Sequence, residues 1–202
     1  MITLNNTQEI INQAKKLIKE EEFDKAIKLL ENLYQQEPQS ELIKKNLIDT
    51  LFSYGGYLND EFVVEYEKAV VIFKKILKIE PKNYKAHYNL GIAYYNLGQA
   101  ENALKAYYDA ITIKPDYKHC YYNIGLIYES LENLNKALTY YEKALDIDPN
   151  FPYAVHAKEF IRKKLDQQRG EKIETEEKSI CKKCGNINRR GARFCDECGD
   201  RL

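Results

Sequence analysis

The residues with the sharpest chemistry sit at the end of the chain. Cys181-Lys182-Lys183-Cys184-Gly185 and Cys195-Asp196-Glu197-Cys198-Gly199 lie with ten residues between Cys184 and Cys195. Two C-x-x-C pairs supply four thiolates, which suits a tetrahedral Zn²⁺ with Zn–S distances of about 2.3 Å. A glycine after each second cysteine lets the backbone wrap the sulfurs and aim amides at them, offsetting thiolate charge. The segment 179–202 is shorter than the roughly 40 residues below which a domain usually needs a metal or disulfides. Metal binding worth about 10–16 kcal/mol in comparable peptides is enough to fold it. Four protein ligands leave no open position, so the expectation is one structural, non-catalytic Zn²⁺. A redox role fits less well, because no βαβ pattern surrounds either pair.

Nothing else in the chain argues for an enzyme. Cys120 stands alone, and His87, His119 and His156 are far apart in sequence. There is no nucleophile motif, no glycine-rich phosphate loop and no paired catalytic carboxylates. A second pattern is periodic instead: Asn12, Asn46, Asn89 and Asn123 recur with gaps of 34, 43 and 34 residues. A carboxamide carries both donor and acceptor, so it can pair with a peptide backbone without reading sequence. Tyr88, Tyr95 and Tyr122 share that face by helical spacing and offer rigid anchors, with Lys85 beside them.

The elements that would position these asparagines repeat. Residues 84–117 and 118–151 align without a gap at a 34-residue period: Leu90-Gly91 with Ile124-Gly125, Tyr94 with Tyr128, Ala103 with Ala137, Tyr107 with Tyr141, Ala110 with Ala144, Pro115 with Pro149. A fixed period of this size marks stacked supersecondary units, none of which buries its apolar face alone. The small residues let two helices approach to about 8–10 Å, the aromatics fill the space beside them, and the proline ends the second helix. This pattern resembles the tetratricopeptide repeat (TPR) family, with His87 departing from the family's usual Trp. The resemblance implies an all-α, right-handed α-solenoid of four helical hairpins, 7–40, 41–83, 84–117 and 118–151, with a capping helix over 152–169. It also implies an inner groove, lined by the first helices, that holds a peptide or partner protein. The family's carboxylate-clamping mode is not expected, because Asp49 and His119 stand where Lys, Arg or Asn would, and no Arg is present. The tail is similar to the short zinc ribbon found at the ends of many prokaryotic proteins, Phe194 included.

Thr7 reads as an N-cap. The second unit spans 43 residues, nine more than the others; Gly55-Gly56 reads as its turn, and the extra residues read as a second helix lengthened to about 60–79. Residues 170–178 hold one large apolar residue and read as a linker, or else as a continuation of the capping helix, before the ribbon at 179–202.

Composition bounds the partners. The chain has 202 residues, 31 basic and 31 acidic, with 17 tyrosines and no tryptophan. A net charge of zero gives no global field toward nucleic acid or membrane. No apolar run approaches the roughly 18 residues of a membrane span, and the N-terminus lacks a signal-peptide pattern. Cysteines paired for metal rather than disulfides suggest a reducing, cytoplasmic setting. The expectation is an interaction scaffold for protein or peptide. The alternative is nucleic-acid association through a basic ribbon, where Lys182, Lys183, Arg189, Arg190, Arg193 and Arg201 outnumber Asp196, Glu197 and Asp200.

Overall fold

The computed structural model describes residues 4–176, 179–188 and 192–202. Among them are nine helices: α1 (Leu4–Lys19), α2 (Phe23–Gln36), α3 (Glu41–Leu58), α4 (Tyr66–Ile79), α5 (Tyr84–Asn96), α6 (Ala100–Ile113), α7 (Lys118–Ser130), α8 (Leu134–Ile147) and α9 (Pro152–Glu176). One short antiparallel hairpin, β1 (Ser179–Ile180) with β2 (Ile187–Asn188), pairs Ile180 with Ile187. Each helix packs on its sequence neighbours, and the first helices also meet across layers, α1 on α3 and α3 on α5. The result is an all-helical solenoid.

The same stop signal recurs at each second helix. Residues Glu37, Glu80, Lys114 and Asp148 each donate their backbone N–H to the carbonyl four residues earlier. A proline follows every one (Pro38, Pro81, Pro115, Pro149) and prevents continuation. Asn83 and Asn133 then cap α5 and α8 by accepting from Ala86 N and Lys136 N.

Within a unit the helices meet ring against backbone. A Cβ added at Gly91 would lie 2.5 Å from a Tyr107 ring carbon, and one at Gly125 would lie 2.4 Å from Tyr141. Tyr107 and Tyr141 are fully buried as a result, beside Ala103 and Ala137. A continuous core runs from Ile11 to Ala106, and smaller clusters follow around Ile124, Ala137 and Ala154.

Four expectations are corrected. Thr7 is not an N-cap: α1 already runs from Leu4, and Thr7 is buried inside it. The insertion does not lengthen the second helix of unit two. Helix α3 has 18 residues against 13 in α5 and α7, while α4 keeps the 14 of α6 and α8. The turn between α3 and α4 occupies 59–65, so the extra residues divide between first helix and turn. Gly55-Gly56 lies inside α3, where Gly55 faces the Phe73 ring at 2.7 Å from an added Cβ. Finally, α9 continues through residues 170–176, the alternative to a linker there; residues 177–178 lie outside the described residues.

Candidate functional site

The face made by α1, α3 and α5 carries two adjoining depressions. The smaller, about 340 Å³, has Lys15 and Asn46 in its wall. The larger, about 620 Å³, has Phe52, Asn83 and Lys85 in its wall. Lys45 and Asp49 line both. Lys44 is held by Glu41 and Glu80 at 3.2 and 3.5 Å. No carboxylate lies within 4.0 Å of Lys15, Lys45 or Lys85 among the described residues, although Glu41, Asp49 and Glu80 share the walls of the depressions with them. Asp49 sits between them, where the sequence places it against a carboxylate clamp.

The four asparagines do not share one geometry. Asn46 Nδ2 donates to Leu42 O at 2.8 Å, and Asn89 Nδ2 donates to Lys85 O at the same distance. Each carboxamide is thereby fixed on its own helix with one N–H and its oxygen left over. Asn12 is exposed, and its Oδ1 accepts from Gln8 Nε2 at 3.1 Å. Asn123 is turned into the aromatic packing, where its Nδ2 donates to Tyr107 Oη (3.2 Å) and Tyr88 Oη (3.4 Å).

The aromatic residues divide similarly. Tyr88 is half-buried, edge-on to Tyr117 at 5.1 Å, and burial pushes its phenol up to about 12. Tyr122 is half-buried between Tyr141 (5.7 Å) and Phe151 (5.6 Å). Tyr95 is the most open of the three, 38% exposed. One group that sequence reasoning passed over stands nearby. Glu129 Oε2 accepts from the buried Tyr141 Oη at 2.5 Å. Its only signal in the sequence is register: it lies 34 residues after Tyr95.

The tail brings Cys181, Cys184, Cys195 and Cys198 together, with all four Sγ atoms within 4.8 Å of one another. The pairs Cys181–Cys198 and Cys184–Cys195 are 3.5 Å apart. Four sulfurs about 2.3 Å from one tetrahedral ion would sit roughly 3.8 Å apart, so the cluster fits a metal. The two knuckles repeat each other. Gly185 N donates to Cys181 O and Gly199 N to Cys195 O, while Cys181 N donates to Asn186 O and Cys195 N to Asp200 O. Gly185 (φ 74°) and Gly199 (φ 71°) take the left-handed conformation these turns need.

Electrostatics divide the thiols. The backbone amides of Cys184 and Lys183 pull the Cys181 thiol down. Burial resists ionisation of Cys195, but the amides of Cys198 and Glu197 and the neighbouring thiols outweigh it, holding the group at about 6. Asn188, 2% exposed, ties the knuckles together: its Oδ1 accepts from Asp196 N at 2.8 Å. Of the ribbon's basic residues, Lys183 is paired with Asp200 at 3.3 Å. Arg189 and Arg190 lie outside the described residues.

Comparison with known proteins locates the repeats. Residues 84–117 and 120–151 match the family model of the tetratricopeptide repeat, and residues 65–98 match a second TPR repeat model. The middle of the chain therefore carries tetratricopeptide repeats. Solved structures share the fold. The MamA protein is 24% identical over 78% of this chain and 81% of its own, with a TM-score of 0.59. The Sgt2 TPR domain from Aspergillus fumigatus is 25% identical over 60% of this chain and 81% of its own, with a TM-score of 0.56. The first TPR of Spaghetti (RPAP3), solved bound to the HSP90 peptide SRMEEVD, is 23% identical over 59% and 93%, with a TM-score of 0.54. Among the described residues, no helix is long and apolar enough to cross a membrane.

Proposed function

We propose that this chain is a non-enzymatic adaptor that holds a peptide, or an extended segment of a partner protein, along the inner face of its solenoid. Its units are 7–40, 41–83, 84–117 and 118–151, and a C-terminal ribbon, 179–202, carries one structural Zn²⁺ on its four cysteines in a reducing, cytoplasmic setting. The observation that carries the groove reading is the matched pair Asn46 and Asn89, fixed alike on successive first helices beside Lys45 and Lys85, neither of which is ion-paired among the described residues. A peptide laid across them meets one amide donor and one acceptor per layer, with Tyr95 exposed at the far side. A structural neighbour solved with a bound peptide supports the use of such a surface.

The metal's part is architectural. Bound to four thiolates, it would supply only cross-linking and charge. The chain's own residues orient the sulfurs through amide hydrogen bonds and the Asn188 clasp.

The test is Asn46→Ala combined with Asn89→Ala, measured against a peptide selected on the full-length chain. Losing two to four hydrogen bonds at about 0.5–1.5 kcal/mol each lowers affinity roughly fivefold or more. The melting temperature stays put, because neither amide bonds outside its own helix turn. Unchanged affinity would exclude these rungs from the site. The same titration separates the nucleic-acid alternative, since binding through three or four phosphates weakens with a log–log salt slope near about −3.

A further inference from the structure

The inner face changes character along its length. Its first half presents Lys15, Lys45 and Lys85. Its second half presents tyrosines around one carboxylate, Glu129. Among the described residues, no Lys or Arg nitrogen lies within 4.0 Å of that carboxylate. Among the described residues, the hydrogen bond it accepts is from the neutral phenol of Tyr141. Tyr122 packs on Tyr141 with ring centroids 5.7 Å apart. Tyr95 occupies on α5 the register position that Glu129 occupies on α7. The two layers touch through side chains here, Asn123 reaching Tyr88 and Tyr107. The Tyr122 phenol is raised first by burial and then by the Glu129 charge, ahead of the smaller effects of Tyr153 and Tyr95.

Four tyrosines, Tyr84, Tyr94, Tyr128 and Tyr140, lie under lysines of the chain itself. Lys136 lies 5.0 Å from the Tyr128 ring centre, and Lys143 lies 4.7 Å from that of Tyr140. Among the described residues, no such cation covers Tyr95 or Tyr122. Electron-rich ring faces beside an uncompensated carboxylate attract a cation by two additive effects, the ring quadrupole and a charge-assisted hydrogen bond.

We infer that the second half of the groove receives a Lys or Arg side chain of the bound peptide, held by the Glu129 carboxylate and flanked by Tyr95 and Tyr122. This rests on the peptide-groove reading. It adds a charge rule: the segment carries its cation beside the C-terminal turns of α5 and α7, about 15 Å along α5 from Lys85. A register that set the cation over Lys15, Lys45 or Lys85 would bring like charges together, so the rule fixes where the segment sits along the face.

The experiment uses the full-length chain and peptides of about twelve residues, long enough to extend about 40 Å along the face. Each library fixes Lys, Arg, Glu or norleucine at one position in a randomised background. The expected result is enrichment of Lys and Arg at a single position. For the peptides so selected, Glu129→Gln weakens binding about tenfold, while their norleucine counterparts change less than about twofold. Gln keeps the acceptor for Tyr141 Oη, so helical content and melting should hold. Should Glu129→Gln nonetheless unfold, Tyr95→Leu is the second variant, on a half-open surface, with the same loss of cation preference expected. Retained peptides without cation preference, or a preference unmoved by either variant, overturn this inference and leave the groove standing. If no peptide is retained by the unmodified chain, the groove reading itself fails and this one with it.

Discussion

Gly55 and Gly56 are adjacent in sequence and opposite in their consequences. A methyl at Gly55 would lie 2.7 Å from the Phe73 ring and 3.2 Å from Ile72 Cγ2, while one at Gly56 meets nothing within 4 Å. Gly55→Ala is therefore expected to destabilise by about 1–3 kcal/mol through overpacking. Gly56→Ala should stabilise by about 0.5–1 kcal/mol, because alanine forfeits less backbone entropy in a helix. Urea denaturation of the two variants checks both signs, and two shifts in the same direction would mean that Gly55-Gly56 is not inside a packed helix. The sequence suggests a turn at this pair, because two glycines punctuate more often than they pack. The pairing with Phe73 depends on which ring lies opposite, and that is fixed only once the hairpin closes. The four cysteines were legible for the converse reason: ligand spacing is local, so no partner element has to be known. Glu129 was not, because the phenol it accepts from, Tyr141, comes from another helix.

At the scale of elements, the turns between first and second helices share a left-handed residue. It is Glu21, Val64, Gly98 and Glu132 in successive units, with φ between 56° and 70°. Val64 falls 34 residues before Gly98, so the second unit returns to the common register before α4 begins. The insertion therefore ends there. Its turn is anchored by Asn59 Nδ2 donating to Asn89 O at 3.2 Å and by Asp60 Oδ1 accepting from Phe62 N at 2.9 Å, leaving Phe62 87% exposed. A β-branched residue at positive φ is strained by about 1–3 kcal/mol. Val64 is more than half exposed, so little burial is lost on truncation. Val64→Gly should gain about 0.5–2 kcal/mol after the added unfolded-state entropy of glycine, and Gly98→Val should lose about 1–3 kcal/mol. Denaturant midpoints measure both, and a neutral Gly98→Val would show that the turn does not require this conformation. The periodic apolar residues from Phe62 to Ile76 suggest one long helix, and Phe62 belongs to that pattern in spacing alone. Pattern does not register that the chain must first reverse, and reversal needs residues that α3 had already taken.

The whole molecule joins two kinds of stability. The solenoid is held by contacts between successive helices, so its energy is a sum of layers and their nearest-neighbour interfaces. The tail has no comparable interior. Of the described side chains in 180–202, the buried ones are Cys181, Cys195 and Asn188, while Ile180, Ile187, Phe194 and Leu202 are exposed. Two thiols and an amide cannot offset the ordering of this many residues at about 1–2 kcal/mol each for backbone alone. A bound metal, at about 10–16 kcal/mol, is the one contribution on that scale available to four thiolates. The two parts should therefore separate on chelation of the full-length chain. Native mass spectrometry should show about one zinc per chain before treatment and none after. The dispersed amide signals of the ribbon should collapse, while helical circular dichroism and its melting transition persist. Lowering the pH should act in the same direction as the chelator, because protons compete with metal for the thiolates. A ribbon that stays ordered without metal would place its stability in contacts that its exposed apolar residues do not make.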